Sequence, residues 1–320
     1  MKRRMLCLLF AVILLFSLAS CAGKPDFPVT VKGTDIGALP VKVVSLSPLT
    51  TEMMDAIGAA AHLVGRSDFC DAPPSAASLP SMGSALNPDV DAILQTDASL
   101  VLTPSELEAG AMQRLSAHGI AVLCIPAATG LEEVRENYIA LATAMGGANQ
   151  GPANGERAFA MLSKRLQSVT EAVKGRSSVR ACYLAGDSLA APHGSIMGAL
   201  LQVAGAANIA GDADWSMSKA DIAAAMPEVI FCAPSMAQTI LQTEEFTSLP
   251  AVQNGRVVEL DSKLWERQGL RLADAAAQIA RSLYPDAAIP DAWETESVPI
   301  ESKMEAVGML MKAHPDSHRK

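Results

Sequence analysis

The strongest constraint on the fold is an alternation of short β-branched runs with amphipathic segments, which occurs twice along the chain. In the first half, runs such as "VKVVSLS" and "SLVLTP" alternate with "TTEMMDAIGAA" and "LEEVRENYIALATAMGG". In the second half, "SVRACYLAG", "EVIFCAPS" and "RVVELD" alternate with "SIMGALLQVAG" and "RLADAAAQIARSLYP". Strands that alternate with helices in this way are typical of parallel sheets with crossover helices. The sequence therefore predicts an α/β fold of two lobes, each a parallel sheet flanked by helices.

One long amphipathic segment, "GPANGERAFAMLSKRLQSVTEAVKGR", separates the two halves. Apolar residues spaced by three or four form one stripe on a helix of about 20 residues, which spans roughly 30 Å. The stripe consists of Phe159, Leu162, Leu166, Val169 and Val173, and Gly175 ends the helix. We expect a rigid bridging helix at 150–176 between an N-terminal lobe at 41–149 and a C-terminal lobe at 177–285. An acidic tail with a weak amphipathic helix follows at 286–320.

The N-terminus reads as an export signal. Basic residues at 2–4 precede an apolar run, 5–18, that is too short to cross a bilayer and still carry flanking charge, so 1–20 is predicted to be cleaved. The ending "LASC" resembles bacterial lipoprotein signals, in which the cysteine, here Cys21, becomes the lipidated first residue. An ordinary export signal that ends near a cysteine is the alternative. A tether with one edge strand at 29–31 is expected over 21–40.

Charge and cysteine content exclude several classes of protein. The formal net charge is −9, and loss of the basic signal would make the chain more acidic still, so nucleic acid is not an expected partner. Three of the cysteines lie in strand-like runs, and their spacing matches no zinc motif. Buried free thiols are therefore favoured over disulfides for Cys70, Cys124, Cys182 and Cys232.

Several segments taken together resemble the solute-binding lipoproteins of bacterial ABC importers that carry metal chelates, namely cobalamin, haem and ferric siderophores. The resemblance covers about 41–285 and rests on "VVSLSPLTTEMMDAIGAAAHLVGRSDFCDAPP", "LLQVAGAANIA", "VQNGRVVELDSKLWERQGLRLADAAAQIARSLYP" and the long helix between them. It implies a class III periplasmic-binding-protein-like architecture, with ligand held between the lobes at the carboxyl ends of the strands. It also implies a monomer without enzymatic activity or a cofactor of its own, with a permease and its ATPase as partners.

Loops at the expected ligand cleft supply the candidate binding residues. Ser47 precedes a capped helix N-terminus, which could point amides at a ligand or could simply be a cap. The loop "GRSDFCDAPP" offers the aromatic ring of Phe69 between acidic residues, with a solvated loop as the alternative. The segment "WERQGLR" resembles the corresponding loop of cobalamin-binding members. The predicted ligand-binding set is Ser47, Asp68, Phe69, Trp215, Trp265, Glu266, Arg267 and Arg271.

Permease docking in this family uses one glutamate on each lobe, which pairs with arginines of the permease. The equivalent positions here provide Asp89, or its neighbour Asp91, and Asp221, while Ala220 occupies the position aligned with the second glutamate. Because acidic residues also favour helix N-termini, complementarity to the helix dipole is the alternative role.

The mixed polarity and aromatic residues of the predicted cleft favour a bulky, nearly neutral corrinoid, with haem or a ferric siderophore as the alternative. His193 could approach a metal, but a lone histidine is more often a polar loop residue. Free zinc or manganese is disfavoured because the histidines at 62, 118, 193, 314 and 318 are dispersed. A hydrolase is disfavoured because there is no G-x-S-x-G motif, and His193 and Ser195 have no evident third partner.

Overall fold

The computed structural model describes residues 26–212, 214–290 and 293. The predicted signal peptide, Cys21 and the predicted tail helix lie outside these residues. The strands are β1 Val29–Val31, β2 Thr34–Ile36, β3 Val43–Ser45, β4 Leu63–Arg66, β5 Gly83–Ser84, β6 Asn87–Pro88, β7 Leu100–Thr103, β8 Ala121–Cys124, β9 Val179–Gly186, β10 Leu189–Ala190, β11 Ala206–Asn208, β12 Val229–Cys232 and β13 Val257–Glu259. The α-helices are α1 Pro48–Ala56, α2 Pro74–Ala77, α3 Val90–Gln95, α4 Ala109–Ala117, α5 Leu131–Val173, α6 Ile196–Val203, α7 Lys219–Ala225, α8 Ala237–Gln242, α9 Pro250–Gln253, α10 Lys263–Glu266 and α11 Leu272–Leu283.

The N-terminal lobe contains a parallel sheet in the order β4-β3-β7-β8. Strand β4 lies on one side of β3 and strand β7 on the other. After β4, the chain therefore crosses back over β3 and adds its later strands on the opposite side. The C-terminal lobe repeats this plan, with β9 flanked by β11 and β12 in parallel and by the short antiparallel β10. Ligands of open α/β sheets bind at the carboxyl ends of strands near such a reversal. The predicted two-lobed α/β fold is confirmed.

Residues before the first sheet form a β-hairpin where the sequence predicts a tether with one edge strand. Strands β1 and β2 pair antiparallel around Lys32 and Gly33, both of which have positive φ. Thr34 Oγ1 donates a hydrogen bond to the carbonyl of Val122 at 2.9 Å, so this hairpin packs against the N-terminal lobe.

Helix α5 is a hairpin of two arms, 131–146 and 148–173, around Gly147, whose φ of 77° interrupts the helix. A Cβ on Gly155 would overlap the Cα of Ile139, and one on Gly151 would overlap the Cα of Thr143, so the arms run antiparallel in close contact. The second arm is the predicted bridging helix, and it begins at 148 rather than 150. Its stripe of Leu162, Leu166, Val169 and Val173 is buried, as predicted, and Phe159 packs against the same core.

The largest hydrophobic core crosses both lobes. It contains residues from both sheets together with α5, α6 and α11. Two smaller cores cover the opposite faces of the sheets, one in each lobe. Because the shared core runs along the second arm of α5, rotation of the lobes would break apolar packing, and this packing stabilises a fixed relative orientation.

The predicted free thiols are confirmed: Cys70, Cys124, Cys182 and Cys232 are unpaired, and all except the half-buried Cys124 are buried. Burial raises the pKa of Cys182 to about 12 and that of Cys232 to about 11. Within the part of the chain that the structure describes, no helix combines the length and apolarity of a membrane span.

Candidate functional site

A crevice of about 430 Å³ lies between the lobes. Its walls come from the loop after β8 in the N-terminal lobe and from segments after β10, β11 and β13 in the C-terminal lobe. The lining residues are Ala127, Ala128, Thr129, Pro192, Gly194, Ser195, Ile196, Met197, Trp215, Trp265 and Gln268. This is the inter-lobe position, at the carboxyl ends of the strands, that the sequence predicts for a ligand.

Two tryptophans form aromatic walls of the crevice, as the sequence predicts for Trp215 and Trp265. The Trp265 ring packs edge-on against the buried Tyr183, with ring centroids 5.5 Å apart and planes at 73°. Burial, with a contribution from the charge of Glu266, raises the pKa of Tyr183 to about 12. Tyr183 is therefore neutral at physiological pH, and it holds one edge of the Trp265 indole.

The crevice lining carries no charged side chain among the residues that the structure describes. Its polar groups are hydroxyls, an amide, the indoles and the N-terminus of α6. Ser195 caps that helix, because its hydroxyl accepts from the Gly198 amide at 3.0 Å and donates to the Pro192 carbonyl at 2.7 Å. The site is an apolar, uncharged surface with a few hydrogen-bonding groups, which is typical of small-molecule binding sites.

Residues 263–271, here called the cross-lobe segment, follow β13 and contact the opposite lobe through several of their side chains. Arg271 Nε donates to Glu52 Oε2 at 3.0 Å, and its Nη2 donates to Glu52 Oε1. Arg267 Nη1 donates to Glu52 at 3.1 Å and also to Asp71. Lys263 donates to Asp71 at 2.9 Å. The guanidinium of Arg267 and the ammonium of Lys263 together hold the pKa of the Asp71 carboxyl well below its usual range.

An uncharged pair of hydrogen bonds extends this cross-lobe interface as far as the crevice. The Ala128 amide donates to Gln268 Oε1 at 2.7 Å, and Gln268 Nε2 donates to the Ala128 carbonyl at 2.8 Å. Gln268 is buried and has a φ of 53°. The same segment therefore supplies a crevice wall through Trp265 and ties that wall to the other lobe.

The predicted arginines lie in this interface and not among the residues that line the crevice. Arg267 is only 8% exposed and Arg271 points to Glu52. The sequence offered no sign of this role, because Glu52 precedes Arg267 by 215 residues. Glu52 and Gln268 were missed for the same reason.

Four other predicted ligand contacts also lie outside the crevice lining. Ser47 is buried as the N-cap of α1, which begins at Pro48, because the serine accepts from the Leu49 amide and proline suits a first helical turn. Asp68 accepts from Ser81, and Phe69 is 66% exposed. Glu266 is exposed beside Tyr183.

The two docking candidates lie at exposed helix N-termini, one on each lobe. Asp89 caps α3 by accepting from the Ala92 amide at 2.9 Å. Asp221 lies in the first turn of α7 and accepts from Ser218 at 2.6 Å. Asp91, the neighbour of Asp89, pairs with Arg114. These geometries suit the local helix-dipole role, and both carboxylates remain on the surface.

His193 does not form a catalytic arrangement with Ser195. Its Nδ1 lies 3.0 Å from Asp212, but its Nε2 faces the Asn208 carbonyl at 3.1 Å and not the serine hydroxyl. Both ring nitrogens are therefore engaged. Among the described residues, no cluster of three or more histidine, cysteine or carboxylate side chains could hold a metal ion.

Comparisons with known proteins agree with this geometry. Residues 43–264 match the family described as periplasmic binding protein. An uncharacterized ABC transporter substrate-binding lipoprotein of Bacillus subtilis is 25% identical over 305 residues, which cover 87% of this chain and 96% of that protein. A cobalamin-binding protein of Halobacterium salinarum is 25% identical over 280 residues, 81% of this chain and 75% of that protein. The solved periplasmic haem-binding protein of Pseudomonas aeruginosa is 23% identical, with a TM-score of 0.61 over 78% of this chain and 94% of that one.

Proposed function

The chain belongs to the periplasmic binding protein family, and from that premise we propose that it captures cobalamin or a related corrinoid outside the cytoplasm and delivers it to an ABC importer. Binding proteins of such importers work with a permease and an ATPase. One observation carries the choice of ligand: the inter-lobe crevice is aromatic-walled and its described lining is uncharged. An apolar, neutral site suits a bulky ligand of low net charge that presents amides at its rim.

The same lining argues against haem. Protein side chains that bind haem iron are histidine, cysteine, methionine and tyrosine. Among the described lining residues only Met197 is of these types, and it is 1% exposed. His193 is engaged at both ring nitrogens. A chelate whose metal already has its own ligands fits the crevice better, because it needs no axial ligand from the protein.

An anionic ferric siderophore fits less well for an electrostatic reason. Its carboxylates or catecholates would call for arginines or lysines in the site. In the described structure the nearby Arg267 and Arg271 are paired with carboxylates of the opposite lobe. Trp215 and Trp265 are proposed to contact the corrinoid. Contacts of Ser47, Asp68, Phe69 and Glu266 with the ligand stay predictions.

Parallel calorimetric titrations with cyanocobalamin, haemin and a ferric siderophore test this function. We expect heat and saturable binding with cyanocobalamin. W265A should weaken that binding by more than about 1 kcal/mol, a loss typical of a residue that packs on a ligand. W293A is the matched control, because Trp293 packs on Arg165 and Asp274 away from the crevice. No binding heat with cyanocobalamin at tens of micromolar, or binding of haemin alone, would refute the corrinoid assignment.

We also propose that lipid at Cys21 anchors the mature chain to the membrane, since a diacylglycerol with an additional acyl chain gives stable anchoring. The C21S variant should lose incorporated labelled palmitate and leave the membrane fraction. Unchanged fractionation would refute lipid anchoring at this residue.

Docking on the permease is proposed to use Asp89 and Asp221, because each presents an exposed carboxylate on one lobe. Charge reversal at both, D89R with D221R, should abolish co-purification with the permease while cyanocobalamin binding persists. Retained co-purification would assign docking to other residues.

A further inference from the structure

Gln268 joins the two walls of the crevice through its side-chain amide. Its carbonyl oxygen accepts from the Ala128 amide at 2.7 Å, and its amide nitrogen donates to the Ala128 carbonyl at 2.8 Å. Both residues line the crevice, one on each lobe. The pair therefore spans the space between the lobes where the proposed ligand binds.

The backbone at Gln268 adopts a conformation that local energetics oppose. Its φ of 53° lies in the left-handed region, where the Cβ of an L-residue comes too close to the following carbonyl oxygen. Strained residues persist where surrounding contacts over-determine them, and they cluster at functional sites. Here two buried hydrogen bonds to the opposite lobe, together with the ion pairs of Arg267 and Arg271 on either side, hold the strained turn.

This turn also lies in the same segment as an aromatic wall of the crevice. Trp265 lies three residues before Gln268 in the cross-lobe segment, and its ring is supported on its own lobe by Tyr183 at 5.5 Å. The other lobe is connected to Trp265 through the backbone between Trp265 and the residues Arg267 and Gln268, whose side chains bind that lobe. The bonds between Gln268 and Ala128 therefore join the segment that carries Trp265 to the loop at 127–129 directly, in addition to the bridging helix.

We propose that Gln268 is a positioning residue, which sets the width of the inter-lobe crevice and the place of Trp265 before the ligand binds. The inference deepens the proposed function and rests on it only in taking the crevice as the ligand site. Each polar atom of the Gln268 side-chain amide already has a partner on Ala128. Gln268 therefore acts through its bonds to the opposite wall of the crevice. A crevice held at its bound width loses less conformational freedom on binding and releases its ligand more slowly.

Two variants remove the amide pair without adding strain. Both asparagine and glycine tolerate positive φ. The Q268N side chain is one methylene shorter and cannot reach both groups of Ala128, and Q268G removes the amide altogether. Q253N is the matched control, because Gln253 donates to the Thr247 carbonyl within one lobe on an exposed surface.

The first measurement needs no ligand. Hydrogen–deuterium exchange of the full-length protein should show that the Ala128 amide is protected in the wild type and in Q253N, and that it exchanges at least about tenfold faster in Q268N and Q268G. Equal protection in all four proteins would overturn the proposal. This result is independent of which ligand the protein carries.

The second measurement follows dissociation of cyanocobalamin by stopped-flow tryptophan fluorescence. Q268N and Q268G should dissociate about tenfold faster than the wild type and Q253N, while the association rate changes less. An unchanged dissociation rate in both variants would overturn the positioning role. If the wild type binds no cyanocobalamin, the corrinoid assignment fails, and the exchange of the Ala128 amide still decides whether Gln268 joins the lobes.

Discussion

Neutralising Glu52 should weaken the interface between the lobes strongly, because its carboxylate is shared by two arginines of the C-terminal lobe. The side chain of Glu52 is 8% exposed and that of Arg267 is 9% exposed, so their ion pair is almost fully withdrawn from water. In E52Q the shape of the side chain is kept, but two guanidiniums lose a buried negative partner. Breaking such a pair on one side costs about 3–5 kcal/mol.

We expect a loss of about 3 kcal/mol for E52Q, at the lower end of the range for a broken buried ion pair. Two facts lower the value: Arg267 keeps Asp71, and the side chain of Arg271 is 32% exposed. For a chain of this size each kcal/mol shifts the unfolding midpoint by about 2 °C, so the midpoint should fall by about 6 °C. Differential scanning calorimetry at neutral pH measures this shift.

A matched control is D97N, which neutralises an exposed pair. Lys42 and Asp97 are 3.1 Å apart with side chains 45% and 83% exposed, so we expect a change of about 1 kcal/mol or less. The φ of Asp97 is 55°, a conformation that asparagine also tolerates. A midpoint for E52Q no lower than that for D97N would refute the reasoning that the lobes are joined by a buried ion cluster.

Three further outcomes follow from the fold. G155A should lower the free energy of unfolding by about 1–3 kcal/mol, because the added methyl group would overlap the Cα of Ile139 in the facing arm of α5. Urea unfolding measures the change, and an unchanged midpoint would contradict the close contact. Iodoacetamide at pH 8 should modify Cys182 and Cys232 only after unfolding, because both thiols are buried with raised pKa values; peptide mapping that found either alkylated in the native protein would contradict this. D71N should destabilise the protein at neutral pH, where the lowered pKa of Asp71 keeps it ionised and paired. The difference from the wild type should shrink as the pH falls below about 4, because the Asp71 carboxyl of the unfolded wild-type chain takes up a proton there while that of the folded chain stays ionised. A difference that did not change with pH would exclude the ion pair as its cause.

Much of the fold was predictable because it depends on neighbours along the chain. The β-branched runs became β3, β4, β7, β8, β9, β12 and β13, and the amphipathic stretches became the flanking helices. The bridging arm of α5 was predictable from its apolar stripe and from Gly175, which has a φ of 77° just beyond the helix. The short β11, with the sequence Ala-Ala-Asn, was missed because these residues have little strand propensity and its pairing with β9 alone makes it a strand.

The sequence by itself determined the class of fold, the two lobes, the free thiols and the tryptophans of the crevice, because each follows from local periodicity or from a loop at the end of a strand. Only the tertiary structure decided that Gly147 folds α5 back on itself, that Phe69 lies outside the crevice lining, and that Arg267 and Arg271 hold the lobes together. The physical reason is that the role of a charged side chain depends on which opposite charge lies nearest to it in space. That charge, on Glu52, stands more than two hundred residues away in the chain and within hydrogen-bond distance in space.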